Sequence, residues 1–199
     1  MDIILASGSP RRKQLLAQMG IETFRVISSD ADETVEPGLS PARIVETLSA
    51  RKAEAVAGHA KPGELVIAAD TIVALDGAVL GKPADGPEAF RMLSALSGRR
   101  HQVYTGVTLL RDAERCTEHE VTTVTFRELT RDDITRYIAT GEPMDKAGAY
   151  GIQGYGALLV ERIEGDYFNV MGLPVGRLGR MLAGMGIDCL ALAAGNKAE

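Results

Sequence analysis

Apolar positions along the chain alternate between short continuous runs and helical spacing, an order that predicts a mixed α/β domain. Residues 3–6 form an apolar run, and after Ser-Gly-Ser-Pro the apolar positions of residues 11–19 follow helical spacing, which predicts strand, tight loop and helix. Residues 65–75 are almost continuously apolar and are interrupted only at Asp70-Thr71, as is typical of a strand buried on both faces. The Asp76-Gly77 pair that follows predicts a hairpin turn.

The remaining pattern predicts four further strands and four further helices. The strands are expected at residues 23–27, 101–110, 120–126 and 157–163, and the helices at residues 41–57, 87–96, 130–139 and 174–185. Residues 148–156 contain too many glycines for a helix or a regular strand and predict a loop. With no repeat period, we expect one α/β domain over residues 1–190, followed by a flexible tail at residues 191–199.

Composition narrows the class of protein. The 199 residues, 45% of them hydrophobic, can bury one substantial core, and 22 Lys and Arg against 27 Asp and Glu give a formal net charge of −5, which disfavours a nucleic acid polymer as partner. No apolar stretch has the length needed to cross a bilayer, and the N-terminal run lacks the order of a signal peptide, so neither a membrane partner nor export is expected. Cys116 and Cys189 lie far apart without metal-ligand spacing. These features predict a cytoplasmic protein.

The start of the first predicted helix carries an unusual concentration of positive charge. Arg11 and Arg12 lie in its first turn, where the helix dipole disfavours cations by about 0.3–1 kcal/mol each. Free backbone N–H groups, two guanidinium groups and the hydroxyls of Ser7 and Ser9 together form a suitable site for a phosphate chain. Charge alone leaves an exposed basic turn as the alternative.

Asp70 is the second unusual residue. A carboxylate inside an apolar strand costs several kcal/mol unless it is paired, hydrated or bound to a metal. We expect it near the end of a core strand, where α/β sheets present ligand sites, although a buried structural aspartate is the alternative. Glu33, from an acidic stretch otherwise typical of a solvated face, offers a second carboxylate. Magnesium on a nucleotide uses one or two carboxylates together with phosphate oxygens.

The glycine-lysine pair after the predicted hairpin does not form a P-loop. Three residues separate Gly77 from Gly81 where the Walker pattern has four, and Pro83 stands where a serine or threonine would bind magnesium. Lys82 can still reach a phosphate. The glycines around residue 154 do not complete a dinucleotide-binding fingerprint, and the three histidines lack metal-ligand spacing, so an oxidoreductase and a histidine-based site are not expected.

Several ordered motifs resemble those of the Maf family. They span nearly the whole chain, at residues 5–12, 69–71, 81–83, 97–101, 145–154 and 172–174. The resemblance implies an elongated mixed sheet flanked by helices, similar to the inosine triphosphate pyrophosphatase fold. It also implies a house-cleaning pyrophosphatase that converts a nucleoside triphosphate to the monophosphate and pyrophosphate, and a homodimer. The motif at residues 145–154 looks like that of the branch acting on dTTP and UTP, not of the branch acting on methylated GTP.

The resemblance also assigns roles to individual residues. It ties Arg11, Thr71 and Gln153 to substrate choice and Asp70 to proton acceptance. The amide of Gln153 carries both a donor and an acceptor, as needed to pair with the N3–H and O4 of uracil or thymine. We therefore expect Gln153 to read the base.

Hydrolysis further needs an oriented water, a metal that neutralises charge and cations that hold the leaving pyrophosphate. We expect Asp70 and Glu33 to serve the water and a divalent metal, Mg²⁺ or Mn²⁺. Arg12, Lys52 and Lys82 are expected to bind phosphates. The role of Lys52 is implied by the resemblance, because its place in the predicted helix at residues 41–57 is like that in the family. The alternative is that Lys52 is an exposed helical lysine.

Two other functions are compatible with these motifs. Maf-like proteins are associated with cell division and septum formation, so the chain could be a nucleotide-sensing binding module. A sensor, however, gains nothing from a costly carboxylate such as Asp70 beside the scissile phosphate. The second alternative is a kinase or a phosphatase that releases single phosphates, and the identity of the products distinguishes it.

Overall fold

A computed structural model describes residues 2–195 and shows a seven-stranded mixed sheet with helices packed on it. The strands are β1 (Ile3–Leu5), β2 (Arg25–Val26), β3 (Leu65–Leu75), β4 (Ala78–Leu80), β5 (Arg100–Arg111), β6 (Glu114–Phe126) and β7 (Val160–Glu164). The helices are α1 (Pro10–Gln18), α2 (Pro41–Ala57), α3 (Gly86–Leu96), α4 (Arg131–Ala139), α5 (Tyr167–Met171), α6 (Val175–Gly184) and α7 (Cys189–Gly195). Short 3₁₀ helices cover Glu142–Asp145, Ala147–Ala149 and Tyr155–Leu159.

Six strands follow the order β2-β1-β3-β5-β6-β7, and β4 folds back onto β3. β1 pairs in parallel with β2 and β3, whereas β3, β5, β6 and β7 pair antiparallel with one another. The long antiparallel strands β3, β5 and β6 therefore form the centre of the sheet, and the parallel pairs lie at one side. The mixed α/β architecture expected from the sequence is confirmed.

One edge of β3 is interrupted. β5 pairs with the other edge along residues 65–74, but on this edge β1 pairs only with residues 65–67 and β4 only with residues 73–75. Within residues 2–195 no strand pairs with this edge over residues 68–72, a stretch that contains Asp70 and Thr71. Asp70 thus lies in the middle of β3, and the expectation that it lies near a strand end is wrong. The parallel pairing ends before Asp70, but β3 continues because it forms a hairpin with β4.

The two faces of the sheet bury separate apolar clusters. The face covered by α2 holds Ile4, Ala6, Val66 and Ala68 against Ala53 and Val56. The opposite face holds a larger cluster to which α1, α3 and α6 contribute. Since successive strand residues point to opposite faces, Asp70 shares the α2 face with Val66 and Ala68, and Thr71 lies on the other face.

Most predicted elements are confirmed, with differences near the C-terminus. The helix at residues 41–57, the strand at residues 65–75 and the Asp76-Gly77 turn match α2, β3 and the β3–β4 hairpin, and both turn residues have positive φ. The strand expected at residues 157–163 is confirmed as β7, but its start is wrong, because residues 157–159 belong to the 3₁₀ helix Tyr155–Leu159. Helices α5 and α7 were not expected. α7 includes residues 191–195 of the predicted tail, and residues 196–199 lie outside the described residues.

Over residues 2–195 no single helix is long and apolar enough to cross a membrane. Helices α6 and α7 together have the length and apolar composition of a membrane-spanning helix, but the chain bends by 95° at the break between them.

Close packing of α2 on the sheet depends on Gly106 of β5. Gly106 pairs with Asp70 in the register of β3 and β5, and a Cβ atom there would overlap the backbone carbonyl of Val45 in α2. A hydrogen bond of 2.9 Å between the hydroxyls of Ser49 and Thr108 holds the same helix to the same strand. The missing side chain therefore lets α2 approach the sheet beside Asp70.

We expect Gly106→Ala to lower the free energy of unfolding by about 1–3 kcal/mol, because the added methyl group must displace backbone of α2. Urea denaturation of the wild type and the variant measures this change. The matched control is Gly58→Ala at the end of α2, where the backbone is helical and no other atom lies within 4 Å of an added Cβ. Equal stability of Gly106→Ala and the control would contradict the packing argument.

Candidate active site

A cavity of about 820 Å³ opens at the interrupted edge of β3. The end of β1 and the start of α1 form one wall, α2 and the segment with Ser28, Ser29 and Glu33 a second, and the β3–β4 hairpin a third. Residues 145–147, which precede the glycine-rich segment 148–156, and residues 150–152 within it complete the lining together with residues 170–172 and Val103. Its size is in the range of pockets that bind small molecules and cofactors.

The lining of the cavity is more positive than the rest of the protein. Five cationic side chains face three anionic ones, although the whole chain has a formal net charge of −5. The cationic residues are Arg11, Arg12, Lys52, Lys82 and Lys146, and the anionic residues are Glu33, Asp70 and Asp145. A concave surface with this excess of positive charge attracts an anionic ligand.

Lys52 of α2 lies between two carboxylates. Its Nζ is 2.5 Å from Asp70 Oδ1 and 2.8 Å from Glu33 Oε1. The side chains of Lys52 and Asp70 are 13% and 10% exposed, so the alternative of an exposed helical lysine is wrong. The hydrogen bond from Lys52 lowers the pKa of Glu33, against partial burial that raises it. The predicted pair of carboxylates thus converges on a single cation.

Arg12 is held in one orientation by three hydrogen bonds. Nε donates to the carbonyl oxygen of Gly172 at 2.8 Å, Nη1 to Ser7 Oγ at 3.1 Å and Nη2 to Thr71 Oγ1 at 3.1 Å. Burial lowers the pKa of Arg12, whereas the nearby charge of Asp70 raises it. A guanidinium has five N–H donors, so two remain for a ligand.

Thr71 takes part in a directed chain of hydrogen bonds. Thr105 Oγ1 donates to the carbonyl oxygen of Asn169 at 3.0 Å, and Thr71 and Thr105 share a bond of 2.9 Å. Because the Thr105 proton is used, Thr71 donates to Thr105 and accepts from Arg12. The Thr71 hydroxyl therefore orients Arg12 and has no proton left to donate to a ligand.

The start of α1 keeps free donors at the cavity. Ser7 Oγ accepts from Arg12 and from the Ser9 N–H at 3.3 Å, so its own proton is free. The Ser9 side chain makes no capping bond to the helix. Among the described residues the side chains of Arg11 and Lys82 make neither a hydrogen bond nor an ion pair, although the charge of Arg11 acts on Asp145 and that of Lys82 on Glu33.

Gln153 is placed differently from the other expected site residues. Its side chain is exposed and does not belong to the cavity lining, whereas Gly151 and Ile152 do. The amide Nε2 donates to Gln14 Oε1 of α1 at 3.0 Å. The structure therefore brings the other nine expected residues to the cavity and leaves Gln153 beside it.

Three lining residues, Asp145, Lys146 and Tyr150, were not predicted from the sequence. Lys146 Nζ lies 2.6 Å from Asp145 Oδ1 and 2.7 Å from the carbonyl oxygen of Glu142, and Tyr150 adds an aromatic wall. All three belong to the motif at residues 145–154, which carried the signal. An acidic and a basic residue side by side in a loop otherwise look like a solvated pair.

Tyr150 contacts a buried histidine, His101, beneath the cavity. Its hydroxyl lies 2.9 Å from His101 Nε2, and the rings of His101 and Tyr150 each meet Phe126 edge to face. Burial lowers the pKa of His101 to about 4 and raises the pKa of Tyr150. His101 is therefore neutral at physiological pH and supports the wall of the cavity.

Fold and site define an α/β protein with a cationic cavity of about 820 Å³ that contains the paired carboxylates of Asp70 and Glu33. The solved structure of a HAM1 protein from Coxiella burnetii shares this fold, with a TM-score of 0.51 and 16% identity over 92% of this chain and 99% of that chain. The likeness confirms the expected inosine triphosphate pyrophosphatase type of fold.

The family model for Maf-like protein matches residues 2–185. A dTTP/UTP pyrophosphatase of Symbiobacterium thermophilum is 53% identical over 193 residues, which cover 97% of this chain and 98% of the relative. A dTTP/UTP pyrophosphatase of Moorella thermoacetica is 54% identical over 189 residues, which cover 94% and 96%. The chain belongs to the Maf family, as its motifs led us to expect.

The lowered pKa of His101 predicts a loss of stability in acid. The unfolded chain binds a proton near the ordinary pKa of 6.5, and the folded protein only near 4. The stabilisation is therefore complete above pH 6.5 and is lost as the pH falls towards 4, by about 1.4 kcal/mol per pH unit. We expect the difference in unfolding free energy between the wild type and His101→Gln to narrow by about 2–3 kcal/mol from pH 7.5 to pH 4.5.

Urea denaturation at the two pH values measures this difference. His59→Gln, which removes an exposed histidine, is the matched control. A difference between the wild type and His101→Gln that does not change with pH would contradict the prediction.

Proposed function

We propose that this protein is a nucleoside triphosphate pyrophosphatase that hydrolyses dTTP and UTP to the monophosphate and pyrophosphate. The observation that carries the proposal is the group formed by Asp70, Lys52 and Glu33 beside the free cations of the cavity. The names of the relatives support the same reaction and the same substrates. They do not favour the nucleotide-sensing alternative.

In the proposed reaction a water molecule attacks the α-phosphorus, and the bond from that phosphorus to the bridging oxygen of the β-phosphate breaks. Asp70 accepts the proton of the water, and the electron pair of the broken bond leaves with pyrophosphate. Lys52, held at 2.5 Å from Asp70, orients the carboxylate. General base catalysis of this kind contributes about 10²–10⁴-fold to the rate.

A divalent metal fits the donor set. Asp70 and Glu33 both reach one ammonium nitrogen, so their oxygens are close enough to share a cation, and carboxylate oxygens are preferred ligands of Mg²⁺. No group of three His, Cys, Asp or Glu side chains in residues 2–195 could hold a metal alone, so phosphate oxygens and water would have to complete its ligands. When bound, Mg²⁺ or Mn²⁺ neutralises charge on the phosphates.

The phosphate chain is bound by the cations around the interrupted edge. Arg12 offers its two remaining N–H groups in a fixed orientation, and the side chains of Arg11 and Lys82 make no hydrogen bond or ion pair among the described residues. The free proton of Ser7 and the Ser9 hydroxyl add neutral donors at the start of α1. Fixed donors that meet developing charge are the main source of catalysis in phosphoryl transfer.

The base is recognised at the end of the cavity formed by Gly151 and Ile152. Gln153 follows them, and its side chain must turn from Gln14 towards the cavity to pair with uracil or thymine. Thr71 affects substrate choice through the orientation of Arg12. We further propose that residues 1–190 are one catalytic domain, that two identical chains form a dimer, and that the enzyme acts on the cytoplasmic nucleotide pool without a nucleic acid or membrane partner.

Product analysis tests the reaction and the substrate class. The purified protein is incubated with dTTP, UTP, CTP, ATP and 7-methyl-GTP in the presence of Mg²⁺ or Mn²⁺. We expect pyrophosphate and monophosphate from dTTP and UTP, with little turnover of the others. Orthophosphate as the first product would refute the reaction, and turnover centred on 7-methyl-GTP would refute the substrate class.

Replacement of the proposed proton acceptor tests the mechanism. Asp70→Asn is expected to lower kcat for dTTP by about 10²–10⁴-fold, because the amide cannot take the proton of the water, while the nucleotide still binds. Steady-state rates and equilibrium binding measure the two effects. Asp76→Asn, in the exposed hairpin turn of the same strand, is the matched control. Normal turnover in Asp70→Asn would rule out the assigned role.

A further inference from the structure

The carboxylate of Glu142 collects three donors beneath the glycine-rich loop (residues 148–156). Oε1 accepts from Tyr137 Oη at 2.8 Å and from the Gly156 N–H at 2.9 Å, and Oε2 accepts from the Tyr155 N–H at 2.9 Å. Tyr137 Oη also accepts from the Gly151 N–H at 3.1 Å. Glu142 and Tyr137 therefore hold the loop on both sides of Gln153.

Glycines make this close approach possible. A Cβ atom at Gly154 would overlap the Glu142 carboxylate, and one at Gly156 would lie 2.5 Å from the carbonyl oxygen of Gly151. A Cβ at Gly151 would lie 2.6 Å from the Lys146 side chain. The backbone of the loop thus lies directly on the side chains that hold it.

The Glu142 side chain is anionic. Burial raises its pKa. Hydrogen bonds from the N–H of Gly156, the hydroxyl of Tyr137 and the N–H of Tyr155 together outweigh this effect, so the net shift of the pKa is downward. Hydrogen bonds to a charged group are stronger than those between neutral groups. The backbone of Glu142 adds one more contact, since its carbonyl oxygen accepts from Lys146 Nζ at 2.7 Å.

We infer that Glu142 is a positioning residue for base selection: it fixes, with Tyr137, the segment that presents Gly151 and Ile152 to the cavity and Gln153 beside it. The inference rests on the proposed function. Glu142 does not line the cavity itself and acts only through the loop. A ligand contact on a fixed backbone discriminates better than one on a backbone that must be ordered at binding.

Glu142→Gln tests the inference because an amide has a single acceptor oxygen. Whichever way the amide is turned, its NH₂ group faces at least one donor that Glu142 satisfies. We expect KM for dTTP and UTP to rise by on the order of tenfold, the effect of losing one hydrogen bond to a charged group, and kcat to change little. The preference for dTTP over CTP should fall. The matched control is Glu161→Gln, an exposed glutamate of β7.

Tyr137→Phe extends the test, because it removes the donor to Glu142 and the acceptor for the Gly151 N–H together. We expect a rise in KM in the same direction, and in the double variant a rise smaller than the product of the two single effects. All rates are measured well below the melting temperature of each variant. Unchanged KM and unchanged preference in Glu142→Gln would overturn the inference.

Amide hydrogen exchange separates this inference from the proposed function. Residues 148–156 should exchange faster in Glu142→Gln than in the wild type or Glu161→Gln, whether or not the protein hydrolyses a nucleotide. Equal exchange would overturn the anchoring role. Faster exchange in a variant that keeps its KM would overturn the link to base selection. A wild type that hydrolyses no nucleotide would instead refute the proposed function.

Discussion

The unpaired stretch of β3 between β1 and β4 determines where the other parts of the site can lie. Because β1 ends at Leu5, the chain leaves the sheet there and places Ser7 and the start of α1 over the gap. The hairpin on the far side brings Lys82 to the same opening. Asp70 and Thr71, at the centre of the gap, point to opposite faces of the sheet. A single interruption in strand pairing therefore brings the carboxylate of Asp70, on the α2 face, near the guanidinium of Arg12, on the α1 face.

The charges gathered at this gap are poorly explained by stability alone. Burial of an ion pair such as Asp70 and Lys52 removes water from both charged groups. A protein with well-packed apolar side chains of similar volume in place of such a pair is often equally stable. Arg12 is held by neutral oxygens of Ser7, Thr71 and Gly172, so its positive charge has no directly bonded anion. In the proposed function, the phosphate chain of the substrate would supply the directly bonded anion. We therefore interpret the arrangement as a binding site whose electrostatic balance is completed by its ligand.

The site residues that could be recognised from the sequence are those whose charge is energetically unfavourable in their own helix or strand. Arg12 in the first turn of a helix and Asp70 inside an apolar strand are both costly without a ligand or partner, so each could be recognised from its neighbours in the chain. The apolar pattern likewise predicted α2 and β3. The predicted strand at residues 65–75 already had Asp70 at its midpoint, but the gap in pairing beside Asp70 could not be predicted, because it depends on where β1 and β4 pair with β3. Glu142 was missed for a similar reason: its donors come from residues 137, 155 and 156, and nothing in its own segment indicates them.

The glycine-rich loop shows how a composition typical of flexible chains can produce a fixed surface. Its four glycines lose more backbone entropy on ordering than other residues would, a cost that must be offset by contacts. The same glycines remove the Cβ atoms that would keep the loop away from Glu142, Lys146 and Val73. Close approach then permits short hydrogen bonds to a carboxylate, which are stronger than bonds to neutral oxygens. The residues that make the loop costly to order are thus the ones that allow it to be ordered, and its conformation depends on the charged side chain beneath it.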